Sequence, residues 1–385
     1  MTSQGAVFVG GWDRIGRSTD DGRTWSRLSL GLDEAPADRV LIVDKTTDRV
    51  FIDDTTLGCT TLYISDDLGA SFLPNPAACG EGGGYDHQKV AVGARTRVTA
   101  TPGTEYPNVV YVCGNAIANT ACGVSGDGGL TFQPVPPHGD RACSFQGVPV
   151  ADRKGVLYEP ADAINGCTPR IRVTADNGFT WTDRLVPTAP VGPDTPDLAI
   201  TPDGTLYLFY VDTKWKPAFV RSGDGGLTWS DPVPIAVPGL ESSLFPVVTS
   251  GEDGRIAVAF YGTTDDQAGW NRNPGDAPDS IRWHGYVGVV TGADAPGVPA
   301  TAQRVTEDPL QYGCLSKLGP TCINGVTTSP EEFNIADYMD IDAGPDGRAY
   351  AVFMDGCPPG CNSASQSNTN AALVAVQTGG PDLVP

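Results

Sequence analysis

Apolar and polar positions along this chain fall into short runs. Segments such as TLYLFYV (205–211), RIAVAFY (255–261) and RAYAVF (348–353) are rich in β-branched and aromatic residues, and Gly, Pro and Asp bound them. Runs of about 4–8 residues with these borders read as strands, and no long stretch repeats at the helical period. Several runs pair across tight-turn sequences: TPDG (201–204), GEDG (251–254) and GPDG (344–347). The pattern predicts an all-β chain of hairpins.

An octet recurs above this alternation. STDDGRTW (18–25), SDDLGASF (65–72), SGDGGLTF (125–132), TADNGFTW (174–181) and SGDGGLTW (222–229) share the form Ser/Thr-x-Asp-x-Gly-x-Thr/Ser-aromatic. Their aspartates are Asp20, Asp67, Asp127, Asp176 and Asp224, so the steps are 47, 60, 49 and 48 residues. A unit repeating at such a period marks a repeat architecture. The aspartate is expected to close a turn by accepting a backbone N–H two residues on. The glycine supplies positive φ. The aromatic is expected to wedge between neighbouring sheets. These aspartates therefore read as turn formers, on the face opposite the functional one.

Placed between strands c and d, the octets divide the chain into four-stranded units. The first unit keeps b, c and d at Ala6–Gly10, Arg14–Thr19 and Thr24–Leu28 and lacks a. Two units lack the octet. One is predicted from Phe245 to Val305. The last has a, b and c at Tyr338–Ala343, Arg348–Phe353 and Ala372–Gln377 and lacks d. The count is seven. The expectation is one domain over 1–385, its ring closed by pairing of the N- and C-terminal strands.

Charge and cysteines narrow the setting. Lys and Arg number 25 against 46 Asp and Glu, a net charge of −21. That excludes a nucleic-acid partner and an anionic membrane surface, which need basic patches. No apolar run could span a bilayer. The ten cysteines include no CxxC pair, and three histidines accompany them, so a zinc site is disfavoured. Disulfides between sequence neighbours are expected instead: 59–79, 113–122, 143–167, 314–322 and 357–361. They place the protein in an oxidising compartment, as a secreted monomer whose signal peptide is not part of this sequence.

The five octets resemble the Asp-box, or BNR repeat, of the sialidase superfamily. The resemblance implies a seven-bladed β-propeller, with the six-bladed sialidase ring as the alternative. It implies a carbohydrate-active enzyme, a sialidase-like hydrolase or a lyase, at the channel mouth on the loop face. The competing expectation is a non-catalytic binding or scaffold propeller stabilised by Ca²⁺, since carboxylates crowd the predicted rim: Asp53, Asp54, Asp86, Asp140, Asp197, Asp212, Asp265, Asp266, Asp337, Asp340 and Asp355. Tyr85-Asp86-His87-Gln88 precedes strand a of the third unit, and Tyr338 and Asp340 open strand a of the last. Asp86, His87, Tyr338 and Asp340 are the candidate acid, base and nucleophile, and Tyr85, Gln88 and Arg141 the candidate substrate contacts. A sialidase holds its substrate carboxylate with three arginines behind a Phe/Tyr-Arg-Ile-Pro motif. That motif is absent, and Arg95, Arg97, Arg141, Arg272 and Arg282 form no triad by spacing.

Overall fold

A computed structural model of the chain describes residues 1–10, 15–30, 38–56, 59–76, 86–96, 106–115, 119–139, 147–161, 167–192, 194–315, 339–357, 359–364 and 371–384. Its strands form seven antiparallel sheets, arranged as the blades of a β-propeller. Blade one holds Val7–Gly10, Ile15–Ser18 and Ser26–Leu28 as strands b, c and d. Blade two runs a to d as Asp38–Asp44, Arg49–Thr56, Cys59–Ser65 and Leu73–Asn75. Blade three is Asp86–Ala94, Asn108–Asn115, Thr120–Ser125 and Gln133–Pro134. Blade four is Val150–Ala151, Leu157–Ala161, Arg170–Thr174 and Thr182–Leu185. Blade five is Asp197–Ile200, Leu206–Val211, Pro217–Ser222 and Val233–Pro234. Blade six is Ser242–Ser250, Ile256–Thr263, Arg282–Val290 and Gln303–Arg304, with Gln311–Tyr312 added beside its third strand. Blade seven is Asp340–Ala343, Ala349–Asp355 and Ala371–Val376, as a, b and c. Among the described residues the one helical turn is Pro274–Asp276, and no helix is long and apolar enough to cross a membrane.

Strands b are apolar throughout because both of their faces are covered. Every residue of Leu206–Val211 and Ile256–Thr263 is buried. The apolar clusters sit between blades. Phe51, Leu62 and Ile64 of blade two meet Val90, Val110 and Val112 of blade three. Phe209 and Phe219 of blade five meet Phe260 and Tyr286 of blade six. The seam between blades seven and one is thin by comparison, with Val7, Val9 and Tyr350 buried. The first and last strands do not pair with each other as expected: Val7–Gly10 bonds to Ile15–Ser18, and Ala371–Val376 to Ala349–Asp355. The seam is instead bridged by packing and by ion pairs, Met1 ammonium to Asp342 at 2.7 Å and Arg348 to Asp21 at 3.1 Å.

The five octets share one geometry. The carboxylate reaches four residues on, not two: in the first, Asp20 accepts the Thr24 N–H at 2.8 Å and the Thr24 hydroxyl at 2.6 Å. Asp127 does the same with Thr131, and Asp224 with Thr228. The leading Ser or Thr accepts the glycine N–H, as Ser18 does from Gly22 at 2.9 Å. Two successive residues take positive φ, as at Asp21 (60°) and Gly22 (79°), which is why the second is glycine every time. Thr24 and Ser18 hold the Asp20 carboxyl down to about 2, and Asp67 and Asp224 follow in the same way. The aromatics are less buried than a wedge would be. Trp25 is 40% exposed and lies on Gly16 of its own sheet, donating to the Gly22 carbonyl.

Arginines tie each octet to the preceding blade. Arg17 donates to the Leu68 carbonyl at 2.7 Å, Arg49 to Gly128 at 2.8 Å, and Arg184 to Gly225. Two disulfides lie wholly within the described residues, Cys113–Cys122 and Cys357–Cys361. Cys167 and Cys314 are also disulfide-bonded, to partners outside the described residues. The expected 59–79 bridge falls outside them too.

Asp127→Ala leaves the Thr131 and Leu130 amides without an acceptor in a largely buried turn. It is expected to lower stability by about 1–3 kcal/mol in chemical denaturation without moving any activity per folded molecule. Peptide mapping without reductant is expected to return 113–122, 357–361, 143–167, 314–322 and 59–79. Free thiol at any of these ten positions would contradict the pairing.

Candidate active site at the channel mouth

Inner strands open at the channel end that faces away from the octets, and their first residues set its chemistry. Asp197 begins strand a of blade five, and Asp340 that of blade seven. Gln88 and Lys89 lie on strand a of blade three, just after an irregularity in its pairing between Asp86 and Lys89. Arg39 comes from strand a of blade two. These five provide the polar wall of a cavity of about 300 Å³, whose remaining lining is largely aliphatic.

The two carboxyls dominate the electrostatics. Asp197 and Asp340 reach the water of the channel yet are enclosed by protein. That enclosure pushes the Asp197 carboxyl up, and the nearby Asp340 charge pushes it further. The Val248 amide, donating at 2.8 Å, and Lys89 act against them, leaving it at about 7. Asp340 is pushed up to about 6, by enclosure first and then by Asp342. Asp342 goes the other way. Enclosure would raise it, but the Met1 ammonium and Lys45, at 2.7 and 2.6 Å, hold it below the usual carboxylate range. The mouth thus holds two carboxyls that exchange protons near neutral pH and keep different affinities for them.

Gln88 and Asp340 line this one cavity. Asp86 and His87 sit on the same inner strand, but their side chains lie outside what is described, as do Tyr85, Arg141 and Tyr338. Asp197 was legible only as one of eleven rim carboxylates, and Lys89 and Arg39 gave no signal. Their positions depend on how seven inner strands converge.

Most other described rim carboxylates are engaged locally. Asp54 faces Arg39 at 3.4 Å, Asp265 pairs with Arg282 at 2.6 Å, and Asp266 with Arg272 at 2.7 Å. Asp212 accepts the Lys214 and Lys216 amides of its own turn, and Asp355 the amide of Cys357. Asp53 is fully buried, with the Thr60 hydroxyl at 3.4 Å, and burial pushes it up to about 8. The arginines offered as a clamp are committed as well. Arg272 and Arg282 hold carboxylates, and Arg95 donates to the Tyr106 and Gly126 carbonyls. Arg97 lies outside the described residues.

A second cluster is buried between blades three and four. Glu159 accepts from Arg172 at 2.6 Å and lies 3.1 Å from His138, whose ring stacks on Trp181 at 3.7 Å. Burial pushes Glu159 up, and His138 and Arg172 more than offset it. Glu159 also lies close to Cys113 and Cys122, and their disulfide leaves no thiolate for a metal. Among the described residues this is the one grouping with metal-ligand spacing, so they contain no oxygen cage for Ca²⁺.

No family model and no curated protein matches the sequence. Solved structures do. A protein of unknown function from Dyadobacter fermentans aligns over 97% of both chains with a TM-score of 0.53 at 12% identity. An α-L-arabinofuranosidase from Fusarium graminearum aligns over 88% of this chain and 92% of its own, with a TM-score of 0.49 at 14% identity. The NanB sialidase of Streptococcus pneumoniae aligns over 94% of this chain and 62% of its own, with a TM-score of 0.44 at 14% identity. At such identities the likeness is one of fold.

A carboxyl whose folded pKa is raised stabilises the fold below its ordinary pKa, and that contribution is lost as pH rises through the folded value. For Asp197 the window runs from about 4 to about 7. Asp197→Asn is therefore expected to raise the melting temperature at pH 8 and to leave it nearly unchanged at pH 4.5. Equal shifts at both pH values would remove the case for a raised carboxyl.

Proposed function

We propose that the protein is a secreted glycoside hydrolase acting on neutral sugars at the channel mouth. The reading rests on one observation: Asp197 and Asp340 share a cavity and hold their protons near neutrality at unequal strength. Glycoside hydrolysis needs such a pair, a carboxylic acid to protonate the leaving oxygen and a carboxylate to assist attack at the sugar carbon. Asp197, with the higher pKa, is the proton donor. Asp340 ionises first and is the base or nucleophile. Gln88 and Lys89 face the same space and offer hydrogen bonds to sugar hydroxyls. Asp86, His87 and Tyr338 extend the acid–base wall, and Tyr85 and Arg141 the substrate contacts.

The sugar is neutral by charge. Two channel carboxylates repel a sialic or uronic acid, and Arg95, Arg272 and Arg282 are already engaged. Secretion accords with the disulfides.

Aryl glycosides of neutral sugars, a sialoside and a uronide make the test. Turnover is expected on a neutral glycoside, with a bell-shaped kcat/KM whose limbs belong to the coupled pair and fall near pH 6 and 7. Asp197→Asn and Asp340→Asn should each lower kcat/KM by about 100-fold or more with the fold intact. Turnover confined to the sialoside would overturn the substrate class. Binding of a glycan without turnover of any panel member would replace the hydrolase with a lectin-like propeller.

A further inference from the structure

Two strand positions in the ring are open. Blade one has no inner strand, and blade seven has no outer strand. The turn Thr2–Ala6 shows what belongs in the first. Thr2 N–H donates to the Ala6 carbonyl at 3.0 Å, Gly5 N–H to the Thr2 carbonyl at 3.1 Å, and Ala6 N–H to Thr2 Oγ1 at 2.9 Å. The a–b turn of blade five repeats this bond for bond: Thr201 N–H to Thr205 at 3.0 Å, Gly204 N–H to Thr201 at 2.9 Å, and Thr205 N–H to Thr201 Oγ1 at 3.1 Å. Gly5 and Gly204 both have positive φ, 84° and 95°. Blade five enters that turn from its inner strand, Asp197–Ile200. Met1 stands where Ile200 stands. Chain leading into Thr2 by the same route runs along the free edge of Val7–Gly10.

The space matches. A cavity of about 610 Å³ lies in front of Val7–Val9, walled by Leu41–Thr46 of blade two and Asp340–Asp342 of blade seven, the two inner strands that flank the open position. On the outside, Ala371–Val376 pairs along one edge only, and a second cavity of about 820 Å³ lies beside it, against Val287–Val289 and Gln303–Val305 of blade six. The intervening seam is the thin one, with Val7, Val9 and Tyr350 buried. Unpaired apolar edges invite aggregation, and propellers remove them by closing the ring.

We propose that one segment of this protein's own polypeptide, upstream of Met1, fills both positions. It runs as the outer strand of blade seven, a loop, and the inner strand of blade one, and it ends in the Thr2–Ala6 turn. The order is forced: each outer strand is followed along the chain by the inner strand of the next blade, so the two open positions are consecutive. The segment is about 20 residues long. Ser26–Asp44, Thr182–Ile200 and Val233–Ser250 cover the same route within the ring. The ring then closes through strands added to both end blades, not through direct pairing of Val7–Gly10 with Ala371–Val376. Asp197, Gln88 and Lys89 stay on the far wall, so the channel narrows towards the acidic mouth.

The test begins with protein isolated from the cells that make it. Intact mass and N-terminal sequencing are expected to show about 20 or more residues ahead of Met1, with alternating apolar positions in two runs. Amide exchange then compares that form with the 385-residue chain. Amides on the free edges of Val7–Gly10 and Ala371–Val376 are expected to exchange about 100-fold more slowly in the longer form. A mature N-terminus at Met1 or Thr2 overturns the proposal. So does an upstream segment that leaves both edges unprotected. A dimer of the 385-residue chain that protects Ala371–Val376 also overturns it, by making a second copy the occupant.

Discussion

A carboxylate folded back onto its own turn carries the architecture. In each octet one aspartate accepts an amide and a hydroxyl four residues on, and a serine or threonine accepts the glycine amide. These bonds hold two successive residues at positive φ, a conformation that would otherwise be costly. The turn then sends strand d back along strand c and presents carbonyls at its outer bend. Those carbonyls receive Arg17, Arg49 and Arg184 from the preceding blades. Local turn chemistry and blade-to-blade packing are thus one system.

Rigidity on that face sets the conditions at the other. The inner strands converge with their first residues around one opening, and enclosure there makes a carboxylate expensive to ionise. The response differs within one strand. Asp342 is neutralised by Lys45 and the Met1 ammonium, while Asp340, two residues earlier on the same strand, meets no cation at hydrogen-bond distance and is pushed up. Alternation along a strand therefore yields both a structural ion pair and a titrating group. The buried Glu159–Arg172 pair is the fully compensated case, and it holds blades three and four together.

Much of the fold was legible because its signal is local and repeated. Five octets mark five c–d turns, and the GEDG and GPDG turns mark the two blades without one. The open positions at both ends were legible for the same reason. The geometry inside the octet was not: from the sequence, Asp20 could close its turn two residues on or four. The role of Trp25 was misjudged because nothing in the sequence says that Gly16 provides a seat for the ring. The mouth was hardest. Asp197 and Asp340 are far apart in the chain, and their coupling exists only once blades five and seven face one channel. Gln88 was reachable because it adjoins a histidine and a carboxylate, whereas Lys89 looked like any strand residue.

The arginine clasps carry a consequence for how such a sequence can drift. Each clasp spans a fixed distance from one blade to the bend of the next octet, so a residue gained or lost inside an octet would pull the bend out of reach. All five octets are accordingly the same length, while the chain between them ranges from 47 to 60 residues per repeat. Descendants of this sequence should differ freely in loops around the acidic mouth and almost nowhere in the spacing of Ser18 to Trp25 or its four counterparts. The scaffold is in that sense a ratchet on sequence change: new recognition surfaces can be added at one face because the opposite face cannot accept a single insertion.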